Sequence, residues 1–253
     1  MTADHALTRY RRLRTFNVVV GAVLLAEAAY MLVASNDLAL PVTASYLRDD
    51  PVAVTGPTLP SEVFSLRIGP AVAVFLALAA FDHLLLSAPR VRGWYERGLD
   101  RGVNYARWVE YSVSASLMLV LIGLFVGIRD LAAVVALFAV NTAMILFGLL
   151  MERQQRPGSA DWSAFWFGSL VGVVPWGLIA VYVMQPDQVP GFVYVITVVQ
   201  FVLFFSFALN MALQYAQIGP WRDYIHGEVV YVVLSITAKS LLAWLIFANV
   251  LRT

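Results

Sequence analysis

Seven separate stretches of this chain are each apolar for about twenty residues, and that pattern leaves few folds open. They cover roughly 16–34, 67–88, 106–128, 131–151, 163–185, 191–216 and 228–250. A helix of about 20 apolar residues reaches across the hydrocarbon core of a bilayer and satisfies its backbone hydrogen bonds internally. Soluble domains are about one quarter charged; here the charged share is 13% and the mean hydropathy is +0.76. The expected fold is an all-α membrane protein, a single seven-transmembrane-helix bundle over residues 1–253 bathed in membrane lipid. The first stretch is read as a span rather than a cleaved leader.

The connections differ in kind. GIRD (127–130) makes a tight charged turn between spans three and four, and QPDQVPG (185–191) stops span five and starts span six. Residues 35–66 form one long loop with short β-branched runs, PVTASYL and PVAVTG, separated by turn residues. That pattern predicts a small β-hairpin in the first extracellular loop, and a loop of this length points to an interaction surface.

Arginines set the orientation. RYRRLR (9–14), Arg90, Arg92, Arg97, Arg101, Arg153, Arg156 and Arg222 fall on one side; Arg48, Arg67, Arg129 and Arg252 fall on the other. The positive-inside rule makes this a multi-pass cell-membrane protein with a cytoplasmic N-terminus and an extracellular C-terminus.

Lys239 breaks the seventh span near its centre and is the sole lysine; the other sixteen of the seventeen basic residues are arginines. An amine at that depth costs roughly 2.5–3.5 kcal/mol on insertion scales and marks a functional site. Its candidate partners are the acidic residues within spans, Glu27, Asp82 and Glu110. Arg107 lies one turn from Glu110 and Ser235 one turn from Lys239, so Arg107, Glu110, Lys239 and Ser235 form a possible polar line. Three readings stand: a structural ion pair, a proton-relay or transport site, and a lysine that forms a Schiff base with a carbonyl ligand and needs a carboxylate counter-ion. Seven helices with one lysine in the last and a carboxylate in the third favour the third reading. FWFG (165–168), Pro175–Trp176, FVLFFSF (201–207) and Trp244 could wall a slot for an elongated apolar ligand, and Gly148, one turn from Met144, could leave room for a ligand ring.

Other chemistry is excluded. There is no cysteine, and the three histidines lack metal-ligand spacing. No catalytic dyad or nucleotide motif marks an enzyme, and no basic stripe fits nucleic acid.

The segments SNDLALPVT (35–43), RWVEYSVSASLM (107–118), VNTAMILFG (140–148), FWFG (165–168), VPGFVY (189–194), SFAL (206–209) and VLSITAKSLLAWLIF (233–247) resemble a heliorhodopsin across nearly the full chain. The resemblance implies all-trans retinal bound covalently to Lys239 as a protonated Schiff base, Glu110 as its counter-ion and Ser235 hydrogen-bonded beside it. It implies a pocket that includes Tyr111, Met144, Trp166, Phe201 and Phe204, and a homodimer partly covered by the 35–66 loop. It also implies a slow photocycle without net ion transport and a sensory role toward an unknown cytoplasmic signalling partner. The alternative is a light-driven or light-gated proton or ion transporter. Outward of Lys239, however, SLLAWLIFANVL offers only Asn249 as a strongly polar side chain. His83 matches a family histidine in a polar cavity on the cytoplasmic side. Two departures stand out: a family histidine of span one is Leu24 here, and Glu27 and Asp82 are acidic where the family pattern is not. The proton network is therefore expected to draw on His83, Arg107, Glu27 and Asp82.

Overall fold

Each apolar stretch is a helix. The computed structural model describes residues 3–46 and 59–252. In chain order the elements are α1 (Ala3–Ala34), β1 (Ala39–Ala44), β2 (Ser61–Arg67), α2 (Ile68–Ser87), α3 (Pro89–Asp100), α4 (Tyr105–Phe125), α5 (Leu131–Gln154), α6 (Ser163–Met184), α7 (Gly191–Tyr215) and α8 (Tyr224–Ile246). α8 runs on into a π-helical turn, Phe247–Leu251. All of these helices but α3 are long and apolar enough to cross a membrane, which makes seven spans and a multi-pass membrane protein.

Local signals set the boundaries. Asp130 accepts hydrogen bonds from the backbone of Ala132 and Ala133 and so caps α5, while Asn104 does the same for Arg107 N at the start of α4. The turn between α4 and α5 passes through Gly127 at φ +99°, a conformation that a side chain would strain.

The core is shared by α1, α2, α4 and α8, where Leu24, Met31, Phe75, Leu76, Leu119 and Leu242 are sealed from solvent. α6 and α7 instead turn Val173, Val174, Val202 and Phe205 outward, as helices facing lipid do.

At one end of the bundle β1 and β2 pair antiparallel, with Leu40 opposite Leu66 and Val42 opposite Phe64. The hairpin is therefore present, but its second strand is SEVFSLR. The PVAVTG run lies outside the described residues. Val42 plugs the core, Thr43 N donates to Arg129 O (2.8 Å), and Asn36 N donates to Leu251 O (2.9 Å). These bonds tie the hairpin to the α4–α5 turn and to the end of α8.

The opposite end carries α3, a helix in the connection between the second and third spans, where the sequence pattern predicts a loop. Its signal is a proline at the first turn and apolar residues four apart: Val91, Tyr95 and Leu99. Tyr95 and Leu99 pack on Leu13 and Leu86, while Trp94 stays exposed.

Candidate functional site: a buried lysine at the end of an apolar cavity

Lys239 is 3% exposed in the middle of α8. Its Nζ donates to Ser235 Oγ, one turn earlier, at 2.9 Å. Nζ also lies 3.4 Å from each Glu110 oxygen, but only Oε2 meets it with hydrogen-bond geometry. Glu110 Oε1 is buried without a hydrogen-bond partner among the described residues. Tyr111 presents its ring 4.8 Å from Nζ, and its hydroxyl donates to Tyr231 O (3.0 Å). From α7, Gln200 Nε2 donates to Ala238 O (3.0 Å), which fixes the backbone beside the lysine. The sequence reading did not single out Gln200, although a glutamine inside an apolar span is a visible signal.

Lys239 and Ser235 form the polar end of a cavity of about 130 Å³ between α4, α5, α6, α7 and α8. A single water needs about 10–15 Å³ on this measure, so the space suits a larger guest. Its walls are almost wholly apolar. Tyr111, Met144, Gly148 and Phe204 are among them, as are Trp108, Phe165 and Phe207.

Two expected wall residues are elsewhere. Trp166 is 64% exposed and Phe201 is 48% exposed, and both face away from the cavity. Successive residues on a helix are about 100° apart, so Phe165 takes the inward position beside Trp166. Phe201 instead packs edge-on against Trp176 at 5.5 Å, with Phe204 on the same indole at 5.3 Å. Gly148 lines the cavity, and its bare backbone also makes room for a neighbour. A Cβ there would lie 2.4 Å from the Trp108 ring, so the glycine admits the indole, which then forms the wall.

Arg107 leaves the expected polar line. It is buried and pairs with Glu152 of α5 and Glu228 of α8 rather than with the Lys239–Glu110 pair. Glu228 also accepts from Asn104 Nδ2 (2.6 Å) and Tyr95 OH (3.1 Å). Glu152 accepts from Asn104 N (3.1 Å), Trp108 Nε1 (2.7 Å) and Tyr224 OH (3.3 Å). The guanidinium lies 4.0 Å from the Tyr231 ring centroid and 5.0 Å from that of Trp108. Burial and the adjacent Glu228 push the Tyr95 phenol well above its ordinary range, so it remains a donor.

The remaining acidic and histidine residues divide. His83 Nδ1 is 2.8 Å from Asn17 Oδ1. The Asn17 amide approaches the Tyr95 phenol, yet its Nδ2 completes no hydrogen bond. Buried polar atoms left in this state are where ordered water sits. Leu24 is simply core. Glu27 does not join this group: it accepts from Ser240 Oγ (2.7 Å) and Trp244 Nε1 (2.9 Å), on the hairpin side of Lys239. Asp82 has no hydrogen-bond partner among the described residues, and the charge acting most strongly on it is Glu110, followed by Lys239. No group of metal-binding side chains occurs among the described residues.

A seven-helix bundle with a lone lysine in its last helix, aimed into an apolar cavity, is the architecture of a microbial rhodopsin. The fold resembles cyanorhodopsin N4075R from the cyanobacterium Tolypothrix sp. NIES-4075, with a TM-score of 0.61 at 14% identity over 98% of this chain and 95% of that one. It also resembles a light-driven proton pump from Leptosphaeria maculans, with a TM-score of 0.59 at 12% identity and the same coverage. No curated protein matches the sequence. The heliorhodopsin family model matches residues 13–251, and the chain belongs to the heliorhodopsin family. Membership implies a retinal chromophore. The site fits one: it offers a buried primary amine, a carboxylate in reach, and an apolar cavity leading away from both.

Proposed function

We propose that this protein is a light sensor in which Lys239 Nζ carries all-trans retinal covalently and Glu110 balances the positive charge held there. The observation that carries this reading is the sole lysine of the chain, buried at the polar end of the cavity 3.4 Å from Glu110. Once bound, retinal supplies visible absorption and a light-isomerisable double bond. The residues do the rest. Ser235 fixes Nζ, Glu110 keeps the proton on it, and Phe165, Phe204 and Phe207 confine the ligand and exclude water. Purified with all-trans retinal, the wild type is expected to show a visible band that hydroxylamine bleaches, and Lys239→Ala none. A band of equal strength in Lys239→Ala would end this reading.

Signalling toward a cytoplasmic partner is favoured by the polar groups on the α3 side of the site. His83, Asn17, Tyr95, Glu228 and Arg107 gather on the α3 side of the lysine, at the arginine-rich end assigned to the cytoplasm. The rival reading, light-driven proton transport, draws on Glu27, a carboxylate on the other side of Lys239. Beyond Glu27, however, Met31, Ile246, Phe247 and Leu251 close the way to the hairpin end with apolar side chains. Illuminated vesicles are expected to show no sustained, uncoupler-sensitive pH change; one that persists would establish transport.

The hairpin fits a pairing surface between two copies, since Val63 and Phe64 of β2 are 44% and 46% exposed. The chain has no cysteine, so Val63→Cys introduces a single thiol. Oxidation of that variant in native membranes is expected to give a disulfide-linked dimer; a band that stays monomeric would remove the hairpin from the interface.

A further inference from the structure

The sequence and the Lys239 site leave one acidic side chain unexplained. Asp82 sits in α2 five residues from its end at Ser87, and Glu110 sits in α4 five residues from its start at Tyr105. α2 packs along α4, and both ends lie on the α3 side of the bundle, so the two carboxyl groups occupy one depth. Asp82 takes no hydrogen bond from any described residue. Glu110 Oε1 is buried and also lacks a donor, as does Ser114 Oγ one turn further along α4.

The charges that reach Asp82 are Glu110, Lys239, Glu228 and Arg107. Arg107 and Glu228 are already paired with each other, and Lys239 is matched by Glu110. An ionised Asp82 would therefore add an uncompensated negative charge beside a carboxylate inside the membrane. Two carboxylates that face one cation in low dielectric with no other hydrogen-bond donor between them do not both ionise; one keeps its proton. The buried Glu110 oxygen has the opposite deficit, since it needs a donor.

We propose that Asp82 carries a proton and presents it, directly or through one water, to Glu110 Oε1, so that the two carboxyl groups share one negative charge opposite Lys239. The proposal rests on Glu110 as the partner of the Lys239 cation. It makes Asp82 a positioning residue: it holds Glu110 in place, and it is a reserve counter-charge. If Glu110 is neutralised, Asp82 has a reason to release its proton to bulk water and replace it.

The test is the infrared spectrum of the dark, retinal-loaded full-length protein at neutral pH. The wild-type-minus-Asp82→Asn difference is expected to contain a protonated-carboxyl C=O band. The same band is expected to vanish in Glu110→Gln, where Asp82 becomes the carboxylate. In visible spectra, Glu110→Gln is expected to keep a visible band at neutral pH, whereas Glu110→Gln/Asp82→Asn absorbs in the near ultraviolet. A difference spectrum without the carboxyl band, or identical visible spectra for the single and double Glu110 variants, would overturn the proposal. Failure of the retinal reading is separate: it would show as a wild type with no visible band. The infrared comparison still reads the carboxyl pair in that case, because it follows the Asp82 C=O group and not the chromophore.

Discussion

Arg107→Met is expected to cost about 3–5 kcal/mol of stability, the usual loss when one member of a buried ion pair is removed. The reason is what stays behind. Glu152 and Glu228 are 3% and 2% exposed, and among the described residues Arg107 is the one cation that contacts both. Without it, two carboxylates on α5 and α8 face each other with only Asn104, Trp108, Tyr95 and Tyr224 as donors. Those donors can stabilise the charges but cannot cancel them. Lysine is a poor replacement, because the planar guanidinium serves both acids while lying over the Tyr231 ring. Thermal unfolding of the purified protein in detergent checks this. The midpoint is expected to fall sharply in Arg107→Met and to recover much of the loss in Arg107→Met/Glu152→Gln/Glu228→Gln, where no charge is stranded. A single variant as stable as wild type would mean that water already reaches the cluster.

What could be read in the sequence follows from which interactions are local. The seven spans were legible because bilayer thickness imposes a length on every helix, and the boundaries at 131, 163 and 191 agree with the helix starts. Lys239 and Glu110 stood out because a charge in an apolar run is conspicuous whatever it touches, and Ser235 followed from its place one turn before the lysine. Glu152 and Glu228 were missed for the opposite reason. Each sits near the end of a span, in MERQQR and HGE, where an acid is normally solvated. Only the packing of α3, α4, α5 and α8 buries them, and no single-span pattern encodes that. α3 was missed although its spacing was present, because arginines that fix topology also disguise an amphipathic helix. Trp166 and Phe201 show the limit of matching by type: an aromatic-rich segment was expected at the pocket, but helix phase selects Phe165 and Phe204 for the inner face. The strand that pairs with β1, SEVFSLR, was not singled out, because pairing across the 35–66 loop is a long-range choice that composition does not encode.

Glu110→Gln is expected to change colour and proton affinity together. Unit charges about 4 Å apart interact by about 4 kcal/mol at an effective dielectric of about 20, or about three pH units of proton binding. Nζ and the Glu110 oxygens are 3.4 Å apart with almost no solvent between them, so that figure is a fair scale for the carboxylate's hold on the proton at Nζ. The pH at which the visible band gives way to a near-ultraviolet one is expected to fall by up to about that amount, and by less if Asp82 takes over from a greater distance. The visible band that survives should lie to the red, because a carboxylate beside Nζ concentrates positive charge there and its removal lets the charge spread into the ligand. Glutamine keeps the shape and one acceptor oxygen, so Ser235 and the cavity wall stay in place and the effect is electrostatic. A pH titration of the visible spectrum, wild type beside Glu110→Gln, reads both quantities at once. Unchanged midpoint and colour would mean that another carboxylate holds the proton on Nζ, and Asp82→Asn in the wild-type background would then be the variant that moves them.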